Sequence, residues 1–179
     1  MADTSPFPTG PESDPDGISG DGIDDQHPRV FLVVIDDTDE WKAALRFACM
    51  RASHTFGRVA LLAVIEPTEF QHWSAVEDMM RTEVRQEAEM LLQRVAKTVN
   101  DLTGRMPILF LREGTRRDEL VKLIDEEPTI SILVLGAKPG KEGPGPLIQF
   151  LTTSRIGTLR IPVTIVPGKL TDREIDLLA

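Results

Sequence analysis

The stretch Gly136-Ala-Lys-Pro-Gly-Lys-Glu-Gly-Pro-Gly-Pro146 carries the residue types best suited to an anion site. Glycines let a backbone approach a phosphate and turn its amides toward it, and Lys138 and Lys141 would supply counter-charge. The spacing is not that of a P-loop, which needs four residues between its first glycine and Gly-Lys-Ser/Thr. Only three separate Gly136 from Gly140, and Glu142 follows Lys141. A dinucleotide fingerprint belongs to the first strand-to-helix turn, which here reads Asp36-Asp37-Thr38 without a glycine. Pro139, Pro144 and Pro146 also delete amides that an anion would use.

The Asp36-Asp37 pair is the second candidate. Two acids after a first strand open the metal site of phospho-acceptor receivers, but that site needs an Asp ending the third strand, where Leu111-Arg112-Glu113-Gly114 stands. Asp37 is more simply a helix cap, with Glu40 at capping-box spacing. Cys49 falls on the apolar face of the first helix and reads as packed. His27, His54 and His72 form no pair at metal-ligand spacing. No catalytic residue and no metal site are expected; a base at Asp36 or Asp37 would lack any complementary nucleophile.

The elements that must position these residues follow from apolar patterning. Val30–Ile35, Val59–Ile65, Ile108–Leu111, Ile130–Leu135 and Val163–Val166 are short continuous apolar runs, the pattern of strands covered on both faces. Between them lie helical periodicities. Trp41, Ala44, Leu45, Ala48, Cys49 and Ala52 mark the first, with Gly57 as its left-handed terminator. A long second helix opens at a Ser74/Glu77 capping box, buries a stripe from Val76, Met80 and Val84 to Val99 and Leu102, and ends at Gly104. Met79, Met80 and Met90 read as packing residues on it, and Trp73 before it as buried. Leu120, Leu123 and Ile124 face inward from a third helix, and a fourth spans about Leu147 to Leu159. Five strands alternating with four helices predict an α/β fold: an open five-stranded parallel sheet, Rossmann-like, with helices on both faces. In the usual 3-2-1-4-5 order a ligand would sit between Asp36 and Gly136, where the strand order reverses.

The formal net charge of −9 is unevenly placed. Residues 1–28 hold seven acids and no Lys or Arg, and 171–179 hold three acids against Arg173, so 29–170 is neutral. Three regions are expected: a disordered acidic tail over 1–28, an α/β domain over 29–168 and a C-terminal tail over 169–179. A neutral domain with acidic tails has no electrostatic footprint for nucleic acid. One cysteine makes no internal disulfide, and no apolar run approaches the roughly 18 residues of a membrane span. The expected location is cytoplasmic, with no membrane partner.

Val34-Ile35-Asp36, Glu113-Gly114, Leu133-Val134-Leu135-Gly136 and Ile161-Pro162-Val163-Thr164-Ile165-Val166 together resemble the universal stress protein family, over about Val30 to Pro167. The resemblance implies the 3-2-1-4-5 sheet, a homodimer through the last strand, and in one branch ATP held by a loop G-x2-G-x9-G-(S/T). It also implies that the aspartate ending the first strand and the backbone after the second hold the nucleoside. Asp36 matches that aspartate, Val64 lies on the second strand, and Gly136 matches the first loop glycine. The second glycine falls on Pro139, the third on Gln149 and the hydroxyl residue on Phe150. The expectation is a non-catalytic stress-response and interaction module with ATP binding weak or lost, no required cofactor, and an unknown protein partner. The alternative is an adenine-nucleotide switch, binding ATP or AMP through Asp36, Val64 and a rebuilt loop with Gly136, Lys138 and Gly140.

Overall fold

A strand apolar at every position needs cover on both faces, and Val30–Ile35 is buried at all six positions. The computed structural model, which describes residues 28–67, 74–140 and 143–179 with the side chains of 74–78 excepted, shows that cover. Strands β1 (Val30–Ile35), β2 (Arg58–Ile65), β3 (Ile108–Glu113), β4 (Ile130–Ala137) and β5 (Val163–Pro167) form one sheet in the order β3-β2-β1-β4-β5. Every pairing is parallel. Helices α1 (Trp41–His54), α2 (Ser74–Thr103), α3 (Arg116–Glu126), α4 (Pro146–Phe150) and α5 (Asp172–Leu178) surround it. Alternate residues of β1 feed two cores. Phe31, Val33 and Ile35 pack with α1 and α2, while Val30, Leu32 and Val34 pack with α3 and α4. Where β1 meets β4 the register shifts, and the Ser131 hydroxyl accepts from the Val30 amide (3.3 Å).

Several local expectations change. No Asp37–Glu40 capping box forms: α1 starts after Glu40 without a side-chain cap. Asp36 takes the turn instead, its Oδ1 accepting from the Thr38 amide (3.0 Å) and hydroxyl (2.6 Å). Gly57 does not terminate α1 in the left-handed region; Phe56 does, at φ 54°. Glycine is required at 57 because a Cβ would lie 2.5 Å from the Arg29 carbonyl, where the Val30–Arg58 register brings the two strands together.

Among the described side chains of α2, the buried stripe covers only the second half of the helix. Leu92, Val95, Ala96 and Val99 are buried, whereas Met79, Met80, Val84 and Met90 are exposed. Thirty helical residues span about 45 Å and the eight of β2 about 26 Å, so the start of α2 overhangs the strand ends. Val76, Trp73 and the Ser74/Glu77 capping box fall on residues or side chains outside those described. Helix α4 stops at Phe150 and becomes a π turn over Leu151–Arg155. There the Thr152 and Thr153 hydroxyls bond back to the Ile148 (2.8 Å) and Gln149 (2.7 Å) carbonyls, in competition with the regular ladder.

The C-terminal segment forms α5, opened by a Thr171–Glu174 capping box and docked on α1. Ile175 is buried, and Arg46 of α1 bonds both Asp176 oxygens at 2.7 Å and Asp172 at 3.0 Å. Residues 1–27, including His27, lie outside the described residues.

Candidate functional site

In an open parallel sheet the crevice lies beyond the carboxyl ends of the strands, where neighbouring connections leave in opposite directions. Here that place is between β1, flanked by β2, and β4. Ile65 pairs with Glu113, and the Gly114 amide donates to the Ile65 carbonyl (3.0 Å). That register sets Glu66, just after β2, beside the first turn of α3. The Arg116 amide donates to Glu66 Oε1 (3.0 Å), so Glu66 caps α3 while the N-cap Thr115 makes no side-chain bond.

The Arg116 guanidinium then reaches over the end of β2 to the end of β1, along the β2 side of that crevice. Nη1 donates to Asp36 Oδ2 (3.1 Å), and Nη2 lies 3.8 Å from Glu66 Oε2. Nε is buried without a hydrogen-bond partner. The Asp36 and Arg116 side chains are 19% and 27% exposed, an environment that strengthens the Coulomb attraction over a surface pair and also raises its desolvation cost. Beside this cluster opens a cleft of about 1450 Å³, lined by Asp36, Val64 of β2, Leu111 of β3, Trp41 at the start of α1, and Val84 and Met90 of α2. Glu113, the last residue of β3, is held below the usual glutamate range, first by the hydrogen bond from Arg81 and further by Arg85. These contacts tie the start of α2 to the end of β3.

Asp36 and Val64 thus share one cleft. Gly136, Lys138 and Gly140 are not among its lining residues. A Cβ on Gly136 would lie 1.8 Å from the Glu40 carbonyl, so this glycine admits the β1–α1 turn across the end of β4. The exposed Lys138 donates its amide to the Pro144 carbonyl (3.3 Å). Gly140, Gly143 and Gly145 take φ values of +127°, +99° and +106°, the left-handed region that favours glycine. Gln149 Nε2 stands 3.0 Å from where a Gly143 Cβ would be. The Arg117 guanidinium lies over the Phe150 ring, 5.4 Å from its centre.

Cys49 is packed, its thiol pushed up to about 12 by burial, against an opposing influence from Arg46. Among the described residues no three His, Cys, Asp or Glu side chains converge as a metal site would. The sequence alone left Glu66, Arg116 and Arg117 out of the site. Their approach depends on the β2–β3 register, and the only sequence trace is the adjacent pair of arginines opening α3.

A family model described as the universal stress protein family matches residues 28–167. The comparison with curated proteins gave no match. Among solved structures, universal stress protein UspA from Lactobacillus plantarum is similar at TM-score 0.66 and 16% identity, covering 77% of this chain and 97% of that one. A universal stress family protein from Burkholderia pseudomallei is similar at TM-score 0.59 and 17% identity, with 77% and 95% covered. One from Arabidopsis thaliana, crystallised with AMP bound, is similar at TM-score 0.57 and 16% identity, with 78% and 92% covered.

Proposed function

Because the chain belongs to the universal stress protein family, we propose that it acts as a non-catalytic stress-response and interaction module whose ATP binding is weak or lost. The observation that carries this reading is the segment after β4. Pro139 has no amide to donate, and Gln149 projects toward Gly143. Phe150, which offers no hydroxyl, holds its ring under Arg117. Backbone amides and a hydroxyl are what a polyphosphate needs there, and side chains of the chain itself take their places. Titration calorimetry with magnesium and ATP should give no saturable heat up to millimolar nucleotide; saturation at micromolar ATP would contradict the reading.

A second reading is favoured by the cleft beside Asp36 and Val64 and by the AMP-bound Arabidopsis relative. In it the chain is an adenine-nucleotide switch that meets the phosphates through a rebuilt loop with Gly136, Lys138 and Gly140. Binding of a fluorescent nucleotide, competed by ATP and lost in Lys138→Ala, would favour the switch over the module.

The proposed self-association is a homodimer through β5, alongside an unidentified protein partner. Among the described residues β5 pairs with β4 alone and ends the sheet, and Ile165 on it is 41% exposed. Edge pairing would satisfy backbone groups that otherwise face water. Val163 packs against the α3–α4 core, so Ile165 is the cleaner position for a charge. A cytoplasmic location belongs to the same proposal. Among the described residues no helix is long and apolar enough to cross a membrane.

A further inference from the structure

We infer that Arg116 is an internal plug, its guanidinium holding Asp36 and Glu66 in place of a ligand and thereby setting the affinity of the crevice for nucleosides. The inference rests on the proposed loss of nucleotide binding and divides that loss between two causes, the altered loop and a crevice already occupied.

Both oxygens of Asp36 are engaged, Oδ1 by Thr38 and Oδ2 by Arg116. Each carboxylate oxygen accepts about two hydrogen bonds, so Thr38 fills Oδ1 and a ligand donor must share Oδ2 with the guanidinium or displace it. The Thr38 bonds span two residues within one turn, whereas Arg116 reaches Asp36 from another element, so Arg116 is the contact that can leave. Its side chain is 27% exposed, its reach to Glu66 is long at 3.8 Å, and its Nε goes unpaired. A guanidinium carries five donors, and few of them are satisfied here. The N–H that Nη1 gives Asp36 Oδ2 stands where the N–H of a purine amino group or the O–H of a ribose could donate instead. Next to it the cleft is roomy enough for a nucleoside and walled by Val64, Trp41 and Leu111. The plug is also anchored by its own backbone, because Glu66 caps α3 through the Arg116 amide.

Charge separates a plug from a phosphate-binding arginine. Removing Arg116 leaves Asp36 and Glu66 unneutralised, which favours a neutral nucleoside with free donors and disfavours its phosphate ester. Adenosine and AMP should be titrated calorimetrically into the full chain and into Arg116→Met and Glu66→Gln. Glu66→Gln retains an acceptor for the α3 amide and removes the charge that holds the guanidinium. The expected result is adenosine binding at least tenfold tighter in Arg116→Met and a smaller gain in Glu66→Gln, with AMP gaining less than adenosine. A folded Arg116→Met with unchanged adenosine affinity overturns the plug and leaves the reading of the loop intact. AMP binding present in the parent and lost in Arg116→Met also overturns it, by making Arg116 a phosphate ligand. Should Arg116→Met fail to fold, an unchanged adenosine affinity in Glu66→Gln decides against the plug. Micromolar ATP binding by the parent protein would instead defeat the loss on which the inference rests.

Discussion

Gly136 has a carbonyl where a side chain would go, and that contact separates its role from those of the glycines in the loop beyond it. A Cβ there would sit 1.8 Å from the Glu40 oxygen, so Gly136→Ala must push the β1–α1 turn off β4. The cost expected for such overpacking is about 1–3 kcal/mol, read as a lower midpoint in urea. Gly140→Ala meets nothing within 4 Å and is strained only through its φ of +127°, so its cost should be smaller. Arg160 is the other residue that fixes local structure. Its Nη2 donates to the carbonyls of Ile124 (2.6 Å), Glu127 (2.9 Å) and Ile130 (3.2 Å), where α3 gives way to β4. A cation at a helix C-terminus satisfies carbonyls left without intrahelical partners. Arg160→Ala should cost about 1.5 kcal/mol, and Arg160→Lys should recover only part of it, since an ammonium is a point donor and not a fork.

At the scale of elements, α5 and the overhang of α2 have the largest consequences. Ile175 is the buried anchor of α5, so Ile175→Ala should lower stability by about 2 kcal/mol. The carboxyl of Asp176 lies below its ordinary range because Arg46 donates to it, and that of Glu174 because the Thr171 amide does. Groups whose folded values are depressed add stability above their unfolded values and lose it as the pH falls through the folded ones. The lowering of the melting temperature by Arg46→Ala should therefore be fully present at neutral pH and shrink in acid, below the ordinary carboxylate range. An undiminished difference in acid would mean that α5 is held by packing alone. β1 was legible in the sequence because a run buried on both faces is apolar at every position, and the other strands because their short runs are mostly apolar, although the edge strands β3 and β5 are only partly buried. Helix α5 was not, although Thr171 and Glu174 have capping-box spacing, because seven residues with one buried anchor and exposed Leu177 and Leu178 show no helical stripe. The overhang of α2 was hidden for the opposite reason. Its apolar periodicity runs on to Met80 and Val84, past the end of the sheet that would cover them. In the site, Asp36 and Val64 were legible from strand ends, while the Asp36–Arg116–Glu66 bridge spans three elements and is fixed by a register that one chain's pattern does not encode.

Over the whole molecule, the charge distribution and the sheet edge argue together. Residues 29–170 sum to zero formal charge, so long-range repulsion between two such domains is small and apolar edge contacts can decide association. In light scattering Ile165→Asp should shift the mass from dimer toward monomer, and an unchanged mass would remove β5 as the interface. On the reading proposed above, the protein works by association and its crevice, plugged by Arg116 and lacking a phosphate loop, takes up no nucleotide in normal use. Native mass spectrometry of freshly purified protein, with and without added ATP and AMP, reads both parts at once. The expected result is a bare dimer whose mass neither nucleotide changes; a monomer, or a nucleotide-sized adduct on the parent protein, would contradict that reading.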